Sequence, residues 1–333
     1  MTEILSTHTP ELFQKAVLRA AELLRAGEVV ALPTETVYGL AANALDETAV
    51  AKIFQIKGRP VNNPIIVHVS GNKMAGRCVK HFPALAEKLS KAFWPGPLTL
   101  VLPCAKEIPG IVTAGGATVG IRWPSHPFIQ AVIHECDFPL AAPSANLSSR
   151  VSPTNVEHVR RQLGGKIPLI VDGGQSQVGI ESTVLDLTVL PPRILRPGMI
   201  HAESLSAVCN QVRGLEAKRA GALRSPGLLK RHYSPKARLL VLNWRDDADL
   251  KSQLSAFNFQ PSTCFIIAHT VIPSGEDFGG VSVIPHDAEA FARAIYAELH
   301  QCDEAGARLI VVEAPPDLPE WAGIADRLRR AAA

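Results

Sequence analysis

The chain has 333 residues, of which 47% are hydrophobic and 20% charged, and a formal net charge of +3. This composition excludes a disordered chain, and the length exceeds one ordinary core, since domains typically hold about 100–200 residues. No apolar run approaches the ~20 residues of a membrane span, and so small a positive charge neither requires nor excludes an anionic ligand or a nucleic acid.

The N-terminus, MTEILSTHTPELF, lacks a basic run followed by an apolar stretch, so no secretory signal is expected. Residues 9–27 predict a helix, with Thr9 as cap, Pro10 in the first turn and Gly27 as stop. EVVAL (28–32) predicts a buried strand that runs into the polar turn PTET. A helix from Asp46 to Lys57, ended by Gly58, precedes a strand over 65–69. Strands over 98–102, 119–122, 168–172 and 182–187 alternate with helices near 83–93, 126–136 and 154–163, the last capped by Thr154. This interleaving predicts an α/β layered domain.

Residues 201–237 differ. A helix over 203–213 leads into GLEAKRAGALRSPGLLKRHYSP, which is basic, Gly/Pro-containing and without apolar period, and so reads as a linker. Four strands follow, in ARLLVLNW, STCFIIAH, GVSVIPH and ARLIVVEA, with helices near 246–257, 287–301 and 319–330. They predict a second, smaller α/β domain. The expected division is 1–200, 201–237 and 238–333. Six scattered cysteines form no CxxC pair, so neither a zinc site nor a disulfide framework is expected, and reduced thiols of a cytoplasmic protein are.

Several segments can carry chemistry. PTETVYGLAAN (33–43) packs Thr34, Glu35, Thr36 and Tyr38 into a loop at a strand end, a common place for ligand sites. KGRPVNNPIIVHV (57–69) sets Lys57 and Arg59 around a glycine, which suits a phosphate or carboxylate clamp. TAGGATVGIRWPSHP (113–127) offers backbone N–H groups to an anion and ends a strand on Arg122. PLAAPSANLSSRVSPT (139–154) is rich in small residues and hydroxyls, with Ser144 and Asn146 able to hydrogen-bond. DGGQSQVGIESTVLD places Ser182 at a strand entrance, and ILRPGMI releases Arg196 from an apolar strand. Each segment also has an ordinary reading: PTET as a capping turn, Lys57 and Arg59 as a solvated surface turn, His68 as a core histidine, Arg122 as a surface hairpin residue. No GxxxxGK[ST], GxGxxG, HExxH or GxSxG occurs, so a kinase-like or hydrolase-like catalytic set is absent from the sequence.

Taken together and in order, PTETVYGL, KGRPVNNPIIVH, FWPGPLTLVL, GIRWPSHP, PLAAPSANLS, SPT, DGG, GIESTV, ILRPG and SPG…HYSP resemble the threonylcarbamoyl-AMP synthase family in its long two-domain form, of the Sua5/YrdC/YwlC type. The match spans about residues 12–235. The resemblance implies a twisted open mixed sheet with helices, as in YrdC-like domains, followed by a smaller Rossmann-like α/β domain. It implies a nucleotidyltransferase that converts ATP, L-threonine and bicarbonate (as CO2) into threonylcarbamoyl-AMP and pyrophosphate. It places threonine against Thr36, His68, Arg122, Ala142 and Ser182, with Arg122 on the carboxylate. It places ATP against Arg59, Asn63, Thr118, Ser144, Ser152 and Arg196, with Tyr233 folding over it from the linker. Lys57 and Arg59 would supply the catalytic charge, and Mg2+ would travel on the triphosphate, with no protein metal site. A separate tRNA threonylcarbamoyl transferase would take the product. Two positions depart from the family pattern: Ser149 stands where glycine is usual, and Leu228 where methionine is commoner. Serine tolerates positive φ poorly.

Three other readings compete, one of them a non-catalytic regulatory domain, against which Lys57, Arg59 and Arg122 argue. A basic concavity also suits an RNA-binding module without adylate-forming chemistry, but only 5% of the chain is aromatic, and RNA readers usually interleave stacking side chains. A carbamoyl-phosphate-using relative of the hydrogenase-maturation type would need CxxC pairs.

Overall fold

A computed structural model of the chain describes residues 1–214, 232–257, 260–274 and 276–333. Within the linker, residues 215–231, including Leu228, lie outside the described residues. The described residues form two compact units, Met1–Ser148 with 152–214, and Ser149–Val151 with 232–333.

The first unit is built on ten strands: β1 (Glu3–Ser6), β2 (Val30–Leu32), β3 (Gly39–Asn43), β4 (Ile66–His68), β5 (Leu98–Pro103), β6 (Thr118–Arg122), β7 (Leu140–Ala141), β8 (Leu169–Asp172), β9 (Thr183–Asp186) and β10 (Arg193–Arg196). They form one sheet in the order β1-β8-β2-β3-β7-β4-β6-β5-β9-β10. The sheet is mixed: β4 and β6 run parallel, whereas β2–β3, β3–β7 and β5–β6 are antiparallel. Seven helices accompany it: α1 (Pro10–Arg25), α2 (Glu47–Lys57), α3 (Asn72–Cys78), α4 (Ala84–Phe93), α5 (Pro127–Cys136), α6 (Val156–Leu163) and α7 (Ala202–Cys209). Their apolar faces close a core that includes Leu24, Leu32, Leu40, Ile53, Leu89 and Phe128. Fully burying one such side chain stabilises by roughly 1.5–3 kcal/mol.

Local chemistry fixes the ends that matter. Thr9 Oγ1 accepts from the Leu12 N–H, and Asp46 Oδ1 accepts from Thr48 and Ala49, so both helices start on the expected caps. Gly58 ends α2 in the left-handed region at φ 58°, and this sharp stop puts Lys57 and Arg59 at one point. Three expectations change. The loop after β2 is a connection between antiparallel strands, because GLAAN pairs back on VAL. Asn155, not Thr154, caps α6 by accepting from the His158 N–H. Helix α7 stops at Cys209, since Asn210 turns left-handed (φ 64°) and Arg213 pairs with Arg193 instead.

The second unit has a parallel sheet in the order β11-β14-β12-β13, from β11 (Arg238–Leu242), β12 (Cys264–Ala268), β13 (Gly280–Val283) and β14 (Leu309–Glu313). Helices α8 (Asp247–Ser255), α9 (Ala288–Glu304) and α10 (Ala322–Ala331) complete it. Ser149 belongs to this unit, has φ 66°, and its carbonyl accepts from the Ser234 N–H at 2.9 Å. A left-handed L-residue costs roughly 1–2 kcal/mol, partly offset by the extra unfolded-state freedom of glycine. Ser149→Gly is therefore expected to stabilise the chain by about 0.5–1 kcal/mol, measured by urea unfolding; a lower midpoint would show that the serine side chain matters more than its strain.

Candidate active site

The site is built where β4 and β6 end together. Their parallel register pairs His68 with Arg122. Arg122 is buried, and its guanidinium donates from Nη1 to Thr36 Oγ1 at 2.9 Å and from Nε to the Gly96 carbonyl at 3.2 Å. Nη2 lies 2.6 Å from Glu35 Oε1 as a charge pair, yet without hydrogen-bond alignment. Thr34 Oγ1 shapes the loop by donating to the Val37 carbonyl at 2.6 Å and sharing a hydrogen bond with Thr36 Oγ1. Tyr38 anchors the same loop to the DGG turn: its hydroxyl donates to the Gly174 carbonyl and accepts from the Gly173 N–H. Burial raises the Tyr38 pKa, so the phenol keeps its proton.

His68 Nδ1 is buried and unbonded. Burial first, then the Arg122 charge, pushes the imidazole pKa down to about 3, against 6.5 for the free group. His68 is therefore neutral near pH 7, and it adds a polar edge without adding charge beside Arg122. Ala142 donates its N–H to the Ile66 carbonyl, which places it beside β4.

A second group lies at the start of β9 and the end of β10. Arg196 is buried and donates to Ser182 twice, from Nε to the carbonyl and from Nη2 to Oγ, each at 3.1 Å. Ser182 Oγ also meets Thr99 Oγ1 of β5 at 2.8 Å. Gly198 is required just beyond: a Cβ there would fall 2.6 Å from the Thr183 nitrogen. One residue earlier than Ser182, the buried Glu181 accepts from Ser152 Oγ at 2.6 Å.

A third group follows α2. Lys57 Nζ donates to the carbonyls of Ser144 and Asn146 and lies 3.4 Å from Asn146 Oδ1. Burial, then Arg59, pushes the Lys57 pKa well down, and Glu181 pushes it back up. Three oxygens around Nζ match the three N–H groups of an ammonium, so Lys57 holds the 144–146 loop. Arg59 folds over its own turn, with Nε on the Asn63 carbonyl at 3.1 Å and Nη2 on the Pro64 carbonyl at 2.7 Å. The Asn63 side chain is fully buried, and among the described residues neither its oxygen nor its nitrogen has a partner. Such an amide costs about 1–3 kcal/mol unless something answers it.

Thr36, His68 and Arg122 thus come together, as do Ser182 with Arg196 and Lys57 with Ser144. Thr118 stands apart from Arg122 at the other end of β6, about 13 Å along the strand at 3.3 Å per residue. Tyr233 lies in the second unit, fully buried, with φ 63°. There it stacks on Tyr296 at 6.0 Å and sits under the Arg327 guanidinium at 5.2 Å.

Comparison with known proteins decides the family. The family described as Telomere recombination (Sua5, YciO and YrdC) matches residues 22–198, and the Threonylcarbamoyl-AMP synthase C-terminal domain matches residues 200–333. The threonylcarbamoyl-AMP synthase of Pyrococcus abyssi is 40% identical, over 94% of this chain and 92% of its own length. That of Bacillus subtilis is 40% identical, over 100% and 96%. The chain belongs to the threonylcarbamoyl-AMP synthase family. It is an enzyme of the nucleotidyltransferase type, and its activity is threonylcarbamoyl-AMP synthesis. The crystal structure of P. abyssi Sua5 complexed with L-threonine superposes with a TM-score of 0.91 at 36% identity, over 100% of this chain and 97% of that one. A P. abyssi Sua5 variant with a histidine and a tyrosine changed to alanine gives 0.92 at 37%, over 100% and 96%. Among the described residues, no helix is long and apolar enough to cross a membrane.

Glu35 lies in the PTET loop that the sequence marks as a place for ligands, whereas nothing in the sequence singles out the buried Glu181, inside GIEST, or the hydroxyl of Thr99.

Proposed function

We propose that the Arg122 cluster binds L-threonine and that the Arg59–Asn63 turn, Thr118, Ser144, Ser152 and Arg196 bind ATP. The observation that carries the reading is a buried arginine that, beyond its Glu35 partner, faces the polar but neutral Thr36 and His68. Such a group takes one ligand carboxylate in bidentate fashion, while His68 and Thr36 remain to meet a hydroxyl. The unanswered amide of Asn63 fits a nucleotide, which offers it both donors and acceptors.

The chemistry then follows from charge. The amine of threonine captures CO2, derived from bicarbonate, as an N-carboxylate. This carboxylate attacks the α-phosphorus of ATP, and pyrophosphate leaves. Both partners are anions, so the reaction needs positive charge between them. Arg59 and Arg196 supply it from a preorganised site, and Lys57, whose charge burial and Arg59 weaken, joins them when the triphosphate's negative charge favours its proton. Positioning contributes as well: well-oriented reactants gain ~7–11 kcal/mol over free encounter. Mg2+ arriving on the triphosphate would add charge neutralisation. Among the described residues no group of three carboxylate, histidine or cysteine side chains could cage a metal. Tyr233 covers the nucleotide and keeps water from the labile product. Residues 1–200 form the catalytic domain, 201–237 the cover, and 238–333 a supporting domain. The product passes to a tRNA-modifying transferase, and the enzyme works in the cytoplasm.

Pyrophosphate release from ATP tests this, with threonine and bicarbonate each supplied or withheld. Release that needs both is expected. Release indifferent to threonine would overturn the reading, and RNA binding across a salt series would then be the competing explanation to measure.

A further inference from the structure

We propose that Glu35 receives the α-ammonium group of the amino acid, so that Glu35 and Arg122 together read the two charged ends of a zwitterion. The inference rests on the reading in which Arg122 takes the threonine carboxylate.

Glu35 is buried, and among the described residues neither of its carboxylate oxygens has a hydrogen-bond partner. Its place is fixed by the backbone. The Glu35 carbonyl accepts from the Val178 N–H at 2.7 Å, the Thr36 carbonyl accepts from Gly179 at 3.1 Å, and Ser176 Oγ donates to the Thr34 carbonyl. Among the described residues, the charged and titratable groups shown to face it are Arg122, at 2.6 Å, and His126, whose pKa burial lowers and Glu35 raises. His68, beside Arg122, stays neutral. A buried carboxylate with unused acceptors is costly, and an ammonium is the group that best answers it. In an α-amino acid one carbon separates the carboxylate from the ammonium. A carboxylate on the Nη2 edge of Arg122 therefore brings its ammonium to Glu35, because Glu35 Oε1 already lies beside Nη2.

The position also has a chemical consequence. An ammonium is no nucleophile. One proton passes from it to the Glu35 carboxylate, leaving a neutral amine and a carboxylic acid. The nitrogen lone pair then forms the N–C bond to CO2, and one C–O π pair moves onto oxygen. The second nitrogen proton leaves to water, and Glu35 returns its own proton to solvent after turnover.

The test compares binding of threonine and of 3-hydroxybutanoate, which has hydrogen in place of the amine, by titration calorimetry. Wild type is expected to favour threonine by on the order of 100-fold. Glu35→Gln is expected to narrow that ratio to within about tenfold, and Glu35→Asp to keep most of it. In turnover, Glu35→Gln should shift the rise of activity to higher pH, where solvent deprotonates the amine; a residue that only steadied Arg122 would lower the rate equally at every pH. An unchanged ratio, or an unchanged pH profile, in Glu35→Gln overturns the proposal alone. If that variant does not fold, the wild-type ratio decides, and a ratio near one overturns it. Wild type that binds neither compound overturns the threonine reading together with this one.

Discussion

Arg122→Ala is expected to abolish threonine-dependent pyrophosphate release and to destabilise the first unit by about 3–5 kcal/mol. Both effects come from one guanidinium. It ties the end of β6 to the turn before β5 through the Gly96 carbonyl and to the β2–β3 loop through Thr36 Oγ1, and it neutralises the buried Glu35. Removing it strands that carboxylate in a dry site, which is the expensive half of breaking a buried pair. Lysine at this position keeps the charge but, as a point donor, does not span the same three partners, so Arg122→Lys should fold and raise KM for threonine about 100-fold or more. The double variant Arg122→Met with Glu35→Gln separates the two roles. It should regain most of the lost stability, because neutral groups of similar volume often replace a buried pair without loss, yet it should not regain activity. Urea unfolding and pyrophosphate release on the three proteins measure this. An Arg122→Ala protein that is inactive but fully stable would mean that Glu35 relaxes to solvent, and activity in the double variant would remove Arg122 from the site.

What was legible in the sequence was chiefly local. Thr9, Asp46 and Gly58 act within three or four residues of themselves, and each does what its chemistry dictates. The same holds for the strand that ends on Arg122. Pairings over long separation were not legible. β1 lies along β8, joining Glu3 to Leu169, and nothing near Glu3 announces it. β3 was hidden for a different reason: GLAAN has the small side chains of a loop, and only its pairing with VAL makes it a strand. The site divides in the same way. Its cations and hydroxyls stand in ordered motifs, and the family resemblance they carry is supported by full-length relatives. The sequence named Glu35 within its loop but not its burial against Arg122, and it did not mark Glu181, because the burial of an acid depends on the whole sheet. Ser149 was marked as a departure from glycine, and its φ of 66° gives that departure a physical meaning.

Asp326→Ala should destabilise the second unit by about 3–5 kcal/mol and weaken the apparent affinity for ATP with little change for threonine. Asp326 is fully buried on α10. It takes Arg327 Nη1 at 3.0 Å and Arg330 Nε at 3.0 and 3.1 Å. Arg327 is itself almost wholly buried, and the variant takes the Asp326 carboxylate away from its charge. The consequence reaches the tyrosine proposed to cover the nucleotide. Arg327 stands over the Tyr233 ring, and the Arg330 carbonyl accepts from the His232 N–H at 3.1 Å, so one turn of α10 holds the His232–Tyr233 dipeptide. Tyr233 also carries a left-handed backbone, which persists only while its surroundings enforce it. Loosening the turn should therefore free the tyrosine from its place in the second unit. Asp326→Asn keeps the shape and loses the charge, and it should show the effect on KM for ATP at a smaller cost in stability. Equal shifts in KM for ATP and threonine would place the second unit's influence elsewhere than on the nucleotide cover.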